Sequence, residues 1–193
     1  VAGDFSWGNQ KLIYYLGGID NWFTFGSNLK TDKNGNQTYR YFNPNNRPDP
    51  DADYAFQSLA VNLRGFIQNA ANGNNSAVIN SEFRLPVFTT LFSKPINNAF
   101  VRNFQLIQFV DLGSAWNGAY DKLKRPSITY ADPSDPTVQI NIKAPGIGTF
   151  LGGYGFGARS TLLGYFLKFD AGWPMSVFFR GKPIYYFSMG LDF

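Results

Sequence analysis

The chain has 193 residues, enough for one large domain or for part of a bigger protein. It contains neither cysteine nor histidine, which excludes Cys nucleophiles, His general bases, disulfide staples and the usual zinc ligand sets together. Its net charge of +4 is carried by scattered basic residues rather than a stripe, so nucleic acid is not an expected partner.

No run of about 18 apolar residues occurs, so the sequence holds no transmembrane helix. The 20 Phe, 11 Tyr, 4 Trp and 20 Gly suit a soluble β-sandwich and a membrane barrel with aromatic girdles equally well. No signal peptide opens the chain, which begins Val1-Ala2-Gly3-Asp4. Either a precursor was processed or the sequence starts partway through a protein.

Residues 1–7 read as the end of a strand, and Gly8-Asn9-Gln10 as a turn. Lys11–Leu16 reads as the next strand, and Gly17-Gly18 breaks it. Residues 17–75 then form a long polar loop, richest in Asn, Asp and Pro over 43–53. So long an excursion inside a compact domain points to function. Its last part, 54–61, is more apolar and leads into Leu63-Arg64-Gly65-Phe66, which is expected to be packed.

Strands of period two follow. Over 77–85, Ala77, Ile79, Phe83 and Leu85 oppose Val78, Asn80, Glu82 and Arg84. Over 99–116, Phe104, Leu106, Val110 and Leu112 oppose Asn103, Gln105, Phe109, Asp111 and Gly113. A second long polar loop spans 117–148. Over 150–161, Tyr154, Phe156 and Ala158 oppose Gly153, Gly155, Gly157 and Arg159. Over 164–173, Tyr165, Leu167, Phe169, Ala171 and Trp173 oppose Lys168, Asp170 and Gly172. In the last strand, 184–193, Tyr185, Phe187, Met189, Leu191 and Phe193 oppose Tyr186, Ser188, Gly190 and Asp192.

One face is thus apolar and aromatic, while the other gathers the charges. A soluble barrel and a membrane barrel both give this alternation. Connection lengths favour the membrane barrel: 7–11 and 161–164 are tight, while 17–75 and 117–148 are long, the asymmetry of outer-membrane barrels. The fold expected is all-β, an antiparallel transmembrane barrel. Seven strands are counted, an odd number for a bacterial barrel that would leave an unsatisfied edge in lipid. Missing strands upstream are therefore expected.

Several motifs, in order, carry a family resemblance. Leu63-Arg64-Gly65-Phe66 resembles the Arg-Gly-aromatic tip of the lumenal loop in BamA-like outer-membrane assembly and two-partner-secretion barrels. Phe109-Val110-Asp111-Leu112-Gly113 is similar to the family's Phe-x-Asp-x-Gly strand motif. Glu82 stands on the strand after the loop, where the family carries a glutamate. The glycine-alternating strand ending in Arg159, and the Lys168/Asp170 strand after it, resemble the closing strands. The terminal Phe193 resembles the signal for barrel insertion. One departure is that more than forty residues separate Gly18 from Arg64, which implies an insert-bearing branch.

The resemblance implies the C-terminal part of a barrel of about sixteen strands in the bacterial outer membrane. It implies insertion or translocation of proteins, with protein clients or periplasmic and lipoprotein partners alongside outer-membrane lipid. The alternative is a membrane anchor for large periplasmic domains, for example a β-propeller. A third reading puts a catalytic domain such as a lipase upstream. Arg64 offers a planar fork that suits Glu82 and Asp111, Gly65 allows a tight turn, and Phe66 is expected beside the alternating glycines. Arg159, Lys168 and Asp170 are expected as lumen-facing charges. The cluster is expected to act as a latch that holds the loop rather than in catalysis; no metal or cofactor is expected.

Overall fold

The computed structural model describes the chain apart from residues 32–34, 36, 49–53, 60–61, 119–126, 133–134, 144–149, 176–181 and 192–193. Its strands are β1 (Ala2–Phe5), β2 (Lys11–Leu16), β3 (Leu29–Thr31), β4 (Gln37–Tyr39), β5 (Tyr54–Leu59), β6 (Ala71–Gly73), β7 (Asn75–Pro86), β8 (Gln105–Trp116), β9 (Ser127–Asp132), β10 (Asp135–Lys143), β11 (Leu151–Leu162), β12 (Tyr165–Pro174) and β13 (Ile184–Leu191). Two short helices, α1 (Val87–Leu91) and α2 (Ala99–Arg102), lie between β7 and β8.

The chain is mostly β, organised by one strongly curled antiparallel sheet of order β1-β7-β8-β11-β12-β13. Burial alternates along it with period two. In β8, Ile107, Phe109, Asp111 and Gly113 are buried, while Leu106, Gln108, Val110 and Leu112 are exposed. Adjacent strands are in phase, because Glu82 pairs with Phe109, Phe109 with Gly155, and Gly155 with Gly172. One such row therefore presents all its side chains to the same side. β11 and β12 are joined by Leu163-Gly164, both at positive φ (52° and 84°), as a two-residue hairpin turn requires.

Lys11–Leu16 does not take its expected place in this sheet. β1 pairs directly with β7, and β2 belongs to a separate three-stranded sheet of order β5-β2-β6, parallel to β5 and antiparallel to β6. The physical reason lies in its sequence. Leu-Ile-Tyr-Tyr-Leu has no polar alternation, and Ile13, Tyr14, Tyr15 and Leu16 are all buried. A strand covered on both faces reads as a continuous apolar run. Among the described residues the principal sheet therefore has six strands rather than the expected seven, an even number. The turn at 8–10 sits at the long-loop end, since Phe5 pairs with Asn75 and Asn75 with Trp116.

The long connections carry structure of their own. The excursion from Ser6 to Asn74 holds the β5-β2-β6 sheet and the β3–β4 hairpin, and the second contains the β9–β10 hairpin. The strand expected over 99–116 begins at Gln105, with α2 taking its first part. The small sheet packs onto one face of the curled sheet through a core of Tyr14, Leu16, Leu63 and Val78. The insert also touches the outer edge of β13. Trp22 bridges to Ser188, and the Phe23 N–H donates to the Phe187 carbonyl at 2.8 Å.

Candidate functional site

Leu63 opens the tip. It is fully buried and bridges to Gly18, with its N–H donating to the Gly18 carbonyl at 3.1 Å. That anchor directs Arg64 down onto the inner face of the curled sheet, where only 4 % of the residue remains exposed. Its Nε donates to Asp111 Oδ2 at 2.7 Å and its Nη2 to Asp111 Oδ1 at 2.8 Å, a fork-on-fork pair. The Arg64 backbone N–H donates to the same carboxylate at 3.1 Å. Nη1 donates to Glu82 Oε1 and lies 3.8 Å from Asp170 Oδ2. Beneath the guanidinium, the Phe109 ring centroid is 3.8 Å from Cζ, a cation–π contact.

A second arginine repeats the arrangement. Arg159 donates from Nη1 to Asp170 Oδ1 at 2.6 Å and from Nη2 to Asp170 Oδ2 at 2.9 Å. Its Nη2 also reaches Glu82 Oε1 at 3.4 Å. Arg84 closes the set by donating from Nε to Glu82 Oε2 at 2.9 Å. Three arginines thus meet three carboxylates, and Glu82 bridges the two halves. Burial disfavours the charge on Arg64, but the hydrogen bond and charge of Asp111, with Asp170 and Glu82, outweigh it. They hold the Arg64 guanidinium above the ordinary arginine range.

Gly153 and Gly172 seat the loop's backbone rather than Phe66, while Gly155 admits the Phe109 ring and Gly157 the Asp170 carboxylate. A Cβ at Gly153 would overlap the Arg64 carbonyl oxygen, and one at Gly172 would come within 2.7 Å of the Gly65 nitrogen. Gly65 itself has φ +94°, and a Cβ there would lie 2.6 Å from the Trp173 carbonyl oxygen. Only glycine meets both demands. Phe66 packs instead against the Tyr14, Leu16, Leu63 and Val78 core, because its neighbour Gly65 turns the chain away from the wall. Gly113 lies under that same core, within 3.3 Å contact of Leu16, Leu63 and Val78 for any added Cβ.

Lys168 shares the face of Arg159, its register partner, but stands apart from the network with Nζ 5.4 Å from the Phe166 ring centroid. It lines a polar cavity of about 570 Å³ together with Arg64, Glu82, Arg159, Asp170 and Ser188. Tyr185, Phe187 and Met189 of β13 alternate outward and are exposed. Phe193 lies outside the described residues, as does the side chain of Leu191.

Tyr186 is the functional residue that sequence reasoning passed over. It is fully buried on the inner face, its hydroxyl accepting from the Gly65 N–H at 2.9 Å and donating to the Phe66 carbonyl at 2.8 Å. It thereby ties the last strand to the loop tip. The available signal was an aromatic with a polar tip on the face otherwise holding Ser188 and Gly190.

Among the described residues the cluster's carboxylates and guanidinium groups are matched to one another. Such an arrangement can position a loop. Comparison of the chain with family models, with curated proteins and with solved structures found no match.

Proposed function

We propose that this chain is the C-terminal part of a transmembrane β-barrel of the bacterial outer membrane, one that inserts or translocates other proteins there. The observation that carries the reading is the inverted polarity of the curled sheet. Phe83 (66 % exposed) and Phe156 (49 %) belong to an outward apolar belt across neighbouring strands, while Asp111 and Asp170 are buried on the inner face. Water favours the opposite arrangement, and a bilayer favours this one.

The resemblance of Leu63-Arg64-Gly65-Phe66, Glu82 and Phe109-Val110-Asp111-Leu112-Gly113 to BamA-like barrels supplies the functional class. In this reading the loop tip is a latch that keeps the insert seated in the lumen. It sits close to β13, whose outer edge would form one side of a lateral seam toward protein clients. Among the described residues the edge of β7 beyond Val78 has no strand partner and that of β13 meets the insert at Trp22 and Phe23, an arrangement that fits closure by further strands. The mutual saturation of the ionic cluster also suits a purely anchoring barrel that carries periplasmic domains.

Depletion of the protein in cells, followed by quantifying other outer-membrane barrels, separates the two. Loss of unrelated barrels, or of one secreted client, supports insertion or translocation. Unchanged levels with loss only of a function borne by attached domains would favour the anchor.

A further inference from the structure

The connection between β7 and β8, residues 87–104, is far longer than the two to five residues that reverse a pair of strands. Its only charged side chains are Lys94 and Arg102, with no Asp or Glu. Its apolar residues do not turn inward. Leu91 is 70 % exposed and Phe92 58 %, and neither helix contains a buried residue.

The segment folds back over the outer face of the sheet. Ser160 shares the parity of the exposed Phe156, yet it is buried, because its hydroxyl donates to the Phe100 carbonyl of α2 at 2.6 Å. Phe104, just before β8, meets Phe88 at 5.6 Å and Phe100 at 6.4 Å between ring centroids. These rings extend the outward belt beyond Leu106 toward the turn end. Two of the segment's exposed polar side chains are satisfied locally. Thr90 Oγ1 donates to the Pro86 carbonyl at 2.7 Å, and the Asn98 side chain caps the Val101 N–H. Satisfied polar groups interspersed with exposed apolar side chains suit the boundary between headgroups and acyl chains.

We infer that residues 87–104 form an interfacial foot on the bilayer, with Leu91 and Phe92 inserted among acyl chains. Lys94 and Arg102 reach anionic phospholipid headgroups. The inference rests on the membrane-barrel reading and deepens it. Phospholipid is the occupant because the surface continues the outward belt and carries charge of one sign. Two helices of five and four residues also offer no groove for a peptide.

The chain has no cysteine, so single labels can be placed cleanly. Leu91→Cys and Phe83→Cys carry an environment-sensitive fluorophore, in vesicles of phosphatidylethanolamine and phosphatidylglycerol. Iodide reports water, and a nitroxide on the acyl chain reports lipid. The expected result is several-fold protection from iodide at both positions, with nitroxide quenching at both. Lys94→Gln with Arg102→Gln should restore iodide quenching at position 91 while leaving position 83 unchanged. Iodide access at 91 with protection at 83 would overturn the foot and leave the barrel reading standing. Protection of 91 from both quenchers would point to a covering protein and overturn it equally. Iodide access at both positions would remove the membrane reading itself. No response to the double substitution would overturn the headgroup contact.

Discussion

Arg64 and Asp111, 47 positions apart in sequence, are joined by two side-chain hydrogen bonds and a third from the Arg64 backbone. The pair joins the tip of the insert to the second strand of the wall hairpin, β8, and both side chains are nearly inaccessible to water. A buried ion pair adds little stability relative to apolar packing, but removing one partner strands the other charge.

Arg64→Ala should therefore destabilise the folded protein by about 3–5 kcal/mol, and Asp111→Asn by less, since the amide keeps one acceptor. Denaturant unfolding in detergent micelles, followed by the gel mobility difference between folded and heated protein, reads both. Arg64→Lys should fall between wild type and Arg64→Ala, because a point charge cannot reproduce the fork.

The glycine seat makes a separate prediction. Gly153→Ala places a methyl group on the Arg64 carbonyl, so it should unseat the loop while leaving the strands paired. Limited proteolysis should then cut within the insert, with the gel shift of the folded protein retained. Tyr186→Phe keeps the ring and removes only the two hydroxyl bonds. It should cost about 1–3 kcal/mol, chiefly from the buried groups left unpaired.

Raising the pH should not open the latch. The Arg64 pKa is raised on folding, so its contribution is complete below the unfolded value and declines only as pH climbs through the still higher folded value. Protease protection of the loop should be unchanged up to about pH 11, beyond the range where lysines begin to lose charge. Loss of protection near the lysine range would mean that an amine, not Arg64, holds the loop.

Trp22 and Ser188 form an antiparallel bridge at the edge of β13. Opposed residues of this kind have Cα atoms about 4.5–5.5 Å apart, inside the range a disulfide spans. Trp22→Cys with Ser188→Cys should cross-link under mild oxidation, with no competing thiol in the chain. Absence of a cross-link in folded protein would show that the insert leaves this edge open.

Much of the wall was legible because alternation is local. Phe83, Val110, Phe156 and Phe169 mark the exposed face in sequence and structure alike. The ionic cluster was partly legible, since Glu82, Asp111 and Asp170 each lie on the polar side of their own strand, and the in-phase register brings those sides to one face. What local pattern does not encode is which sheet a strand joins. Lys11–Leu16 shows this, as its apolar run suits a buried strand in either place. The helices between β7 and β8 escaped because four or five residues are too few to display a helical period. The alternating glycines signalled close approach, but nothing nearby in sequence said whether a ring or a backbone would approach.

The polarity of the sheet can be read strand by strand. Spin labels at Ile79, Ser81, Phe83 and Leu85, against Asn80 and Arg84, test it most directly along β7 in reconstituted vesicles. Oxygen partitions into lipid and a nickel chelate stays in water. High oxygen and low chelate accessibility are expected at the odd positions, with the opposite or mutual protection at the even ones. Equal chelate access at the odd positions, together with stable monomer recovered without detergent, would contradict that polarity.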